Sequence, residues 1–206
     1  MNIQGGQRPP FFCPPGCTKA SFVVIYFYED MHIYNPSRIL QGARLSTLLD
    51  EAQVRPRLGG HTFLVTNPDL VRDGTIRSIR QELERAGIEG ILFDGADEEP
   101  AGDTITEAVR LASGGRTGHV IGVGPPITLD IAKIISAAVG SERSMYQLMD
   151  GETGGIPDAA LPFLAVPTRC WNPLLFSDTA VLLDPRDRLP KLVRTGIYPD
   201  AVFFLA

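Results

Sequence analysis

The sequence predicts an α/β fold, a mostly parallel sheet with helices on both faces. Three observations carry this. From His61 onward, short β-branched or apolar runs alternate with stretches whose apolar residues recur at helical spacing. The candidate strands close on turn or loop residues at Asn67-Pro68, Asp94-Gly95 and Pro167-Thr168. The central unit, HVIGVGPPITLDIAKIISAAVG (His119–Gly140), passes from strand to helix through a tight turn.

In chain order, residues 1–18 are rich in Gly, Pro and Gln and read as a flexible N-terminal extension. Residues 19–206 are then a single α/β domain. Ser21–Tyr28 is predicted as a strand because β-branched and aromatic residues dominate it. Met31–Leu40 is a second extended piece, ending near Gly42, that makes an N-terminal β-hairpin with it. Ala43–Ala52 is a helix with Leu45, Leu48 and Leu49 on one side. His61–Thr66 is a strand. Leu70–Ala86 is one helix, with Ile76, Ile79, Leu83 and Ala86 inward and Gly87 as its stop. Gly90–Phe93 is a strand. Thr104–Ala112 is a helix opened by a capping box, Thr104-x-x-Glu107, with Ile105, Ala108, Val109 and Ala112 buried. His119–Gly122 is a strand, Val123–Pro126 a turn and Ile127–Ala138 a helix. Ser141–Ala160 reads as a loop and Leu161–Val166 as a strand. Thr179–Leu183 and Leu192–Arg194 form a hairpin around Asp184-Pro185-Arg186-Asp187. Ala201–Leu205 is a last strand with no helix after it, which reads as one sheet without a second domain.

A net charge of −5 offers no basic surface to a nucleic acid. The longest apolar run, Phe22–Tyr28, is strand length, so no membrane span is expected, and no signal peptide opens the chain. Cys13, Cys17 and Cys170 make no disulfide framework, which points to a reduced, cytoplasmic setting. Cys13 and Cys17 sit four apart without a second pair to complete a metal site, and read as incidental.

Ligands in such sheets bind at the carboxyl ends of the strands. A helix start there offers unpaired N–H groups and the positive end of the helix dipole to a phosphate. Here Pro125 and Pro126 stand where a phosphate loop wants glycine. Proline donates no N–H, and its ring fills space.

Six segments, in order, resemble the N-terminal domain of the iron-containing (group III) alcohol dehydrogenases. YFYEDMHIYNPSRILQGARLSTL is similar to that family's first hairpin and helix. LVTNPDLV resembles its VTD-x-x-L segment, and FDGADEEP its FDG-x-x-PNP segment. GVGPPITLDIAK resembles its GGGS-x-x-D-x-AK signature. LPFLAVPTRCWNPLLFSDTAVLLD resembles LP-x-I-x-IPTTAGTGSE, and IYPDAVFFLA the LLPDVAIVDP that closes the domain. The resemblance covers about Phe22 to Ala206 and implies a Rossmann-like domain that binds NAD or NADP. It also implies a following helical domain whose Asp and three His hold iron or zinc, and that domain is absent from this sequence. His32, His61 and His119 do not lie at those positions and read as structural, so no metal is expected.

Carried over residue by residue, the cofactor positions are Asn67, Gly122, Gly124, Pro125, Pro126, Asp130, Thr168 and Lys191. Asn67 replaces the aspartate that takes the adenosine ribose. Gly124, Pro125 and Pro126 replace the triple glycine, Ile127 a serine and Glu99 an asparagine. Arg169, Cys170 and Trp171 replace the second glycine-containing loop and are candidates for another small anionic ligand. Asp130, read in the first turn of its helix, is either a cap or a substrate-side group. Lys133 and Lys191 read as surface residues, Lys191 alternatively lying near the cofactor. No catalytic residue is assigned. The reading preferred is a degenerate relative without autonomous dehydrogenase activity, kept for binding or assembly and pairing as a homodimer through the N-terminal strand. The alternatives are an NAD(P)-dependent alcohol or aldehyde oxidoreductase completed by a separate metal domain, and a binder or enzyme for another small anionic ligand in the altered cleft.

Overall fold

Neighbouring side chains in a strand point to opposite faces of the sheet. Phe63 and Leu64, Val120 and Ile121, Phe163 and Leu164, and Val202 and Phe203 are all buried, so both faces must be covered. The computed structural model describes residues 37–51, 61–96, 102–139, 141, 145–150, 160–169 and 172–205. Its strands are β1 (Arg38–Gly42), β2 (His61–Val65), β3 (Gly90–Phe93), β4 (Thr117–Gly124), β5 (Phe163–Pro167), β6 (Thr179–Leu183), β7 (Pro190–Arg194) and β8 (Ala201–Leu205). Six of them form one sheet in the order β1-β8-β5-β4-β2-β3, and every pairing in it is parallel. β6 and β7 pair antiparallel as a separate hairpin.

The helices are α1 (Leu45–Glu51), α2 (Pro68–Arg72), α3 (Thr75–Arg85), α4 (Gly102–Gly114), α5 (Pro126–Ala138) and α6 (Met145–Met149). One core joins Phe63, Val120, Phe163 and Val202 to Ile105 and Ala108 of α4, Ile131 and Ile135 of α5, and Ala180, Leu182 and Val193 of the hairpin. The other joins Leu64, Ile121, Leu164 and Phe203 to Leu45, Leu48 and Leu49 of α1 and Ile76, Ile79 and Leu83 of α3. The parallel sheet with helices on both faces is thus the predicted architecture. Burying a Phe or Leu side chain contributes about 1.5–3 kcal/mol, so these two layers supply most of the fold's driving force.

Several local expectations are corrected. The helix expected over Leu70–Ala86 is two helices, because Gly74 takes φ +86° between them, a left-handed conformation that glycine adopts freely. Its C-terminal stop is as expected. Gly87 is left-handed, its N–H donates to Glu84 O, and Ile88 N–H donates to Leu83 O. α4 starts two residues before Thr104, so Thr104 is a helical residue and not a cap. The strand before the central turn runs on to Gly124, and α5 starts at Pro126. The expected loop after Ser141 contains α6. Beside the six-stranded sheet stands the second, two-stranded one. β1 pairs in parallel with β8 inside the main sheet, while Ser21–Tyr28, residues 1–18, His32, Cys13 and Cys17 lie outside the described residues.

One close approach positions the centre. α5 is buried at every residue from Thr128 to Ala138, and it lies hard against β4. A Cβ at Gly122 would stand 2.8 Å from Ala132 Cβ and 3.1 Å from Leu129 Cδ2. Gly122→Ala is therefore expected to push α5 off the sheet and to cost about 1–3 kcal/mol, as overpacking does. Gly114→Ala, where nothing lies within 4 Å, is expected to leave stability unchanged or to raise it by up to about 1 kcal/mol. Urea denaturation midpoints of the two variants check this.

Candidate functional site

All six strands of the main sheet are parallel, so their carboxyl ends share one edge. At that edge Thr66 Oγ1 donates to Val123 O at 3.0 Å, Ala96 N–H donates to Thr66 O at 3.2 Å, and Thr168 N–H donates to Gly124 O at 3.0 Å. The ends of β2, β4 and β5 are thereby tied together around the start of α5. The sequence-predicted residues Asn67, Gly122, Gly124, Pro125, Pro126 and Thr168 all lie at these strand ends or just beyond them.

The start of α5 tests the fit of a dinucleotide phosphate. Pro125 caps the helix in an extended conformation and Pro126 is its first residue, with no side-chain cap. The first intrahelical bond runs from Leu129 N–H to Pro125 O at 3.2 Å. A helix normally leaves its first four N–H groups free. Here the cap and first positions have none, and only those of Ile127 and Thr128 are left. The Thr128 hydroxyl donates to Ala96 O at 3.4 Å, and a Cβ at Gly124 would sit 2.8 Å from the Thr128 side chain. Asn67 behaves differently. It caps α2 without a side-chain bond, and its Oδ1 is buried with no partner among the described residues. The residues present therefore fit a ribose hydroxyl at Asn67 but do not fit a diphosphate at the helix start.

Asp130 lies in the second turn of α5, so it is not a first-turn cap. It is 6% exposed, and its Oδ2 accepts the Val181 N–H at 3.0 Å. Burial pushes its carboxyl up to about 6, against the pull of that hydrogen bond and of Lys133. Lys133, expected on the surface, is 1% exposed. Its Nζ donates to the carbonyls of Leu174, Ser177 and Thr179 at 2.7, 2.9 and 3.0 Å. Burial pulls its ammonium down to about 8, with Asp130 and Asp178 opposing.

Lys191 is half-buried in β7 and pairs with Asp187 at 2.8 Å. Thr168 and Arg169 are exposed. Cys170, Trp171 and Glu99 lie outside the described residues. One cluster has no counterpart among the sequence-predicted sites. Arg186 forks onto Asp184 through Nε and Nη2 and onto Asp150 through Nη1 and Nη2, with the Tyr146 ring 5.1 Å from its guanidinium carbon. The guanidinium holds Asp184 down to about 2. Asp-Pro-Arg marks the turn in sequence, but the partner Asp150 lies 36 residues away. His119 is structural as expected, its Nε2 2.6 Å from Thr62 Oγ1 inside the sheet. Among the described residues no group of three or more His, Cys, Asp or Glu side chains is placed to hold a metal. No helix among them is long and apolar enough to cross a membrane.

A parallel sheet with a strand–turn–helix unit at its carboxyl edge has the architecture of a dinucleotide-fold domain. The model of the iron-containing alcohol dehydrogenases matches residues 36–204, and the chain belongs to that family. It is 26% identical over 171 residues to the sulfoacetaldehyde reductase of Bilophila wadsworthia, a match over 82% of this chain and 43% of that protein. The crystal structure of the NADH-dependent butanol dehydrogenase A of Thermotoga maritima superposes with a TM-score of 0.74 at 21% identity, over 85% of this chain and 44% of that one. The sulfoacetaldehyde reductase of Bifidobacterium kashiwanohense in complex with NAD+ gives 0.73 at 18%, over 84% and 46%. The chain thus spans less than half the length of the relatives it matches.

The buried carboxyl yields a pH prediction. The folded-state pKa of Asp130 is raised, so its contribution to stability is fully present below the unfolded value near 4 and is lost as pH rises through about 6. Asp130→Asn removes that titration. The stability difference between wild type and variant is expected to shift toward the variant between about pH 4 and pH 7, measured by urea denaturation across that range.

Proposed function

We propose that this chain is a member of the iron-containing alcohol dehydrogenase family that keeps the dinucleotide-domain scaffold without the phosphate grip. On this reading it has no autonomous dehydrogenase activity and serves in binding or assembly. The observation that carries the reading is the Pro125-Pro126 start of α5, which removes two of the four N–H donors that a helix start offers. Each lost hydrogen bond to a charged group costs about 1.5–3 kcal/mol of binding, so two lost donors weaken a diphosphate contact by orders of magnitude. A homodimer through Ser21–Tyr28, a small-molecule ligand at the strand ends and a cytoplasmic setting belong to the same reading.

A second reading is favoured by the intact approach of α5 to β4 at Gly122 and by the Asn67 Oδ1 at the ribose position, which has no partner among the described residues. In it, the chain is the nucleotide half of an NAD(P)-linked alcohol or aldehyde oxidoreductase completed by a metal-bearing half. The relatives named above are reductases and dehydrogenases.

Calorimetric titration with NAD+ and NADP+, with metal content measured in parallel, separates the two. The first reading expects no saturable heat at millimolar cofactor. It also expects Pro125→Gly/Pro126→Gly, which restores two N–H donors, to bind at least about tenfold more tightly than the parent. Micromolar binding by the wild type establishes the second reading instead.

A further inference from the structure

Lys133 is among the largest fully buried side chains of the fold, and the strand-end site does not use it. An ammonium has three donors and no acceptor. Lys133 spends all three on Leu174 O and Ser177 O, in the connection from β5 to β6, and on Thr179 O at the start of β6, 41 to 46 residues further along the chain. Carbonyl oxygens carry partial negative charge, so three of them turned toward one point repel one another unless a cation lies between them. Backbone oxygens arranged in this way hold a monovalent ion in the same manner. The countercharge is near, since Asp130 lies one turn earlier on α5 and Asp178 is on the connection itself. Burying such charges is not a route to net stability, because desolvation offsets the attraction. What the arrangement does supply is a defined path for the chain.

We propose that the carbonyls of Leu174, Ser177 and Thr179 form a cation seat, that Lys133 fills it from inside the fold, and that this occupancy fixes the course of residues 172–179 from the strand-end site into β6. Two other anchors compete for that role. Leu175 is buried in the core, and the Ser177 hydroxyl bonds to Leu174 O at 2.9 Å and lies 2.9 Å from Thr179 Oγ1. If these suffice, the cation is dispensable. The inference stands apart from dinucleotide binding and holds under either functional reading.

Amide hydrogen exchange on the full chain tests it. In Lys133→Ala, residues 172–179 are expected to exchange at least about tenfold faster, with α3 and α4 unchanged. Propylammonium, which replaces the deleted atoms and carries N–H donors, restores protection. Tetramethylammonium at the same ionic strength does not. Lys133→Met also loses protection and is not rescued, because its side chain occupies the space that the added ammonium would need. Unchanged exchange in both variants, or equal restoration by both salts, overturns the proposal. Should the variants not fold, nitrogen NMR of the wild type decides. Lys133 ammonium protons in slow exchange at neutral pH support the seat, and protons exchanging as fast as those of the half-exposed Lys191 contradict it.

Discussion

The close contact between α5 and β4 is the constraint on which the other elements depend. A helix buried along nearly its whole length can lie this near a strand only if the strand presents no side chain at the crossing, and Gly122 meets that condition. The same contact sets where α5 begins, at the carboxyl edge of the sheet beside Thr66 and Thr168. It also aims α5's inward polar residues. Asp130 and Lys133 are carried toward the β6–β7 hairpin and the connection that enters it, where one accepts the Val181 amide and the other donates to the carbonyls of Leu174, Ser177 and Thr179. The hairpin is therefore held by opposite charges from a single helix as well as by Ala180, Leu182 and Val193 in the core.

This division accounts for what the family signature retains. Asp130 and Lys133, two signature positions that keep the residue the resemblance implies, tie α5 to the hairpin and to the connection before it. At the turn, where the resemblance implies three glycines and a serine, the chain has Gly124, Pro125, Pro126 and Ile127. Proline at the cap and first positions suits a helix start as structure, because its fixed φ matches the helix and the missing N–H is not needed there. It suits a phosphate site poorly for that same missing N–H.

Much of the fold is legible in the sequence because its signals are local. Two-sided apolar strands and the helical spacing of Ile76, Ile79 and Leu83 report directly on the sheet and its layers. The break at Gly74 and α6 are less visible. A single glycine inside a periodic run leaves the periodicity intact, and a five-residue helix has too few turns to show one. The positions at the strand ends could be placed from the strand–turn–helix order. The roles of Asp130 and Lys133 could not, since their partners lie 41 to 51 residues away and are backbone atoms, which no residue type announces. A lysine among isoleucines reads as a solvated helix residue until the carbonyls that surround it are known.

On the proposed reading, the start of α5 is a structural cap without an anion grip. The most direct measurement follows the backbone amide resonances of Ile127 and Thr128 while inorganic pyrophosphate is added to the millimolar range. Neither resonance is expected to shift saturably. Saturable, parallel shifts of both amides would contradict it and would return the helix start to phosphate binding.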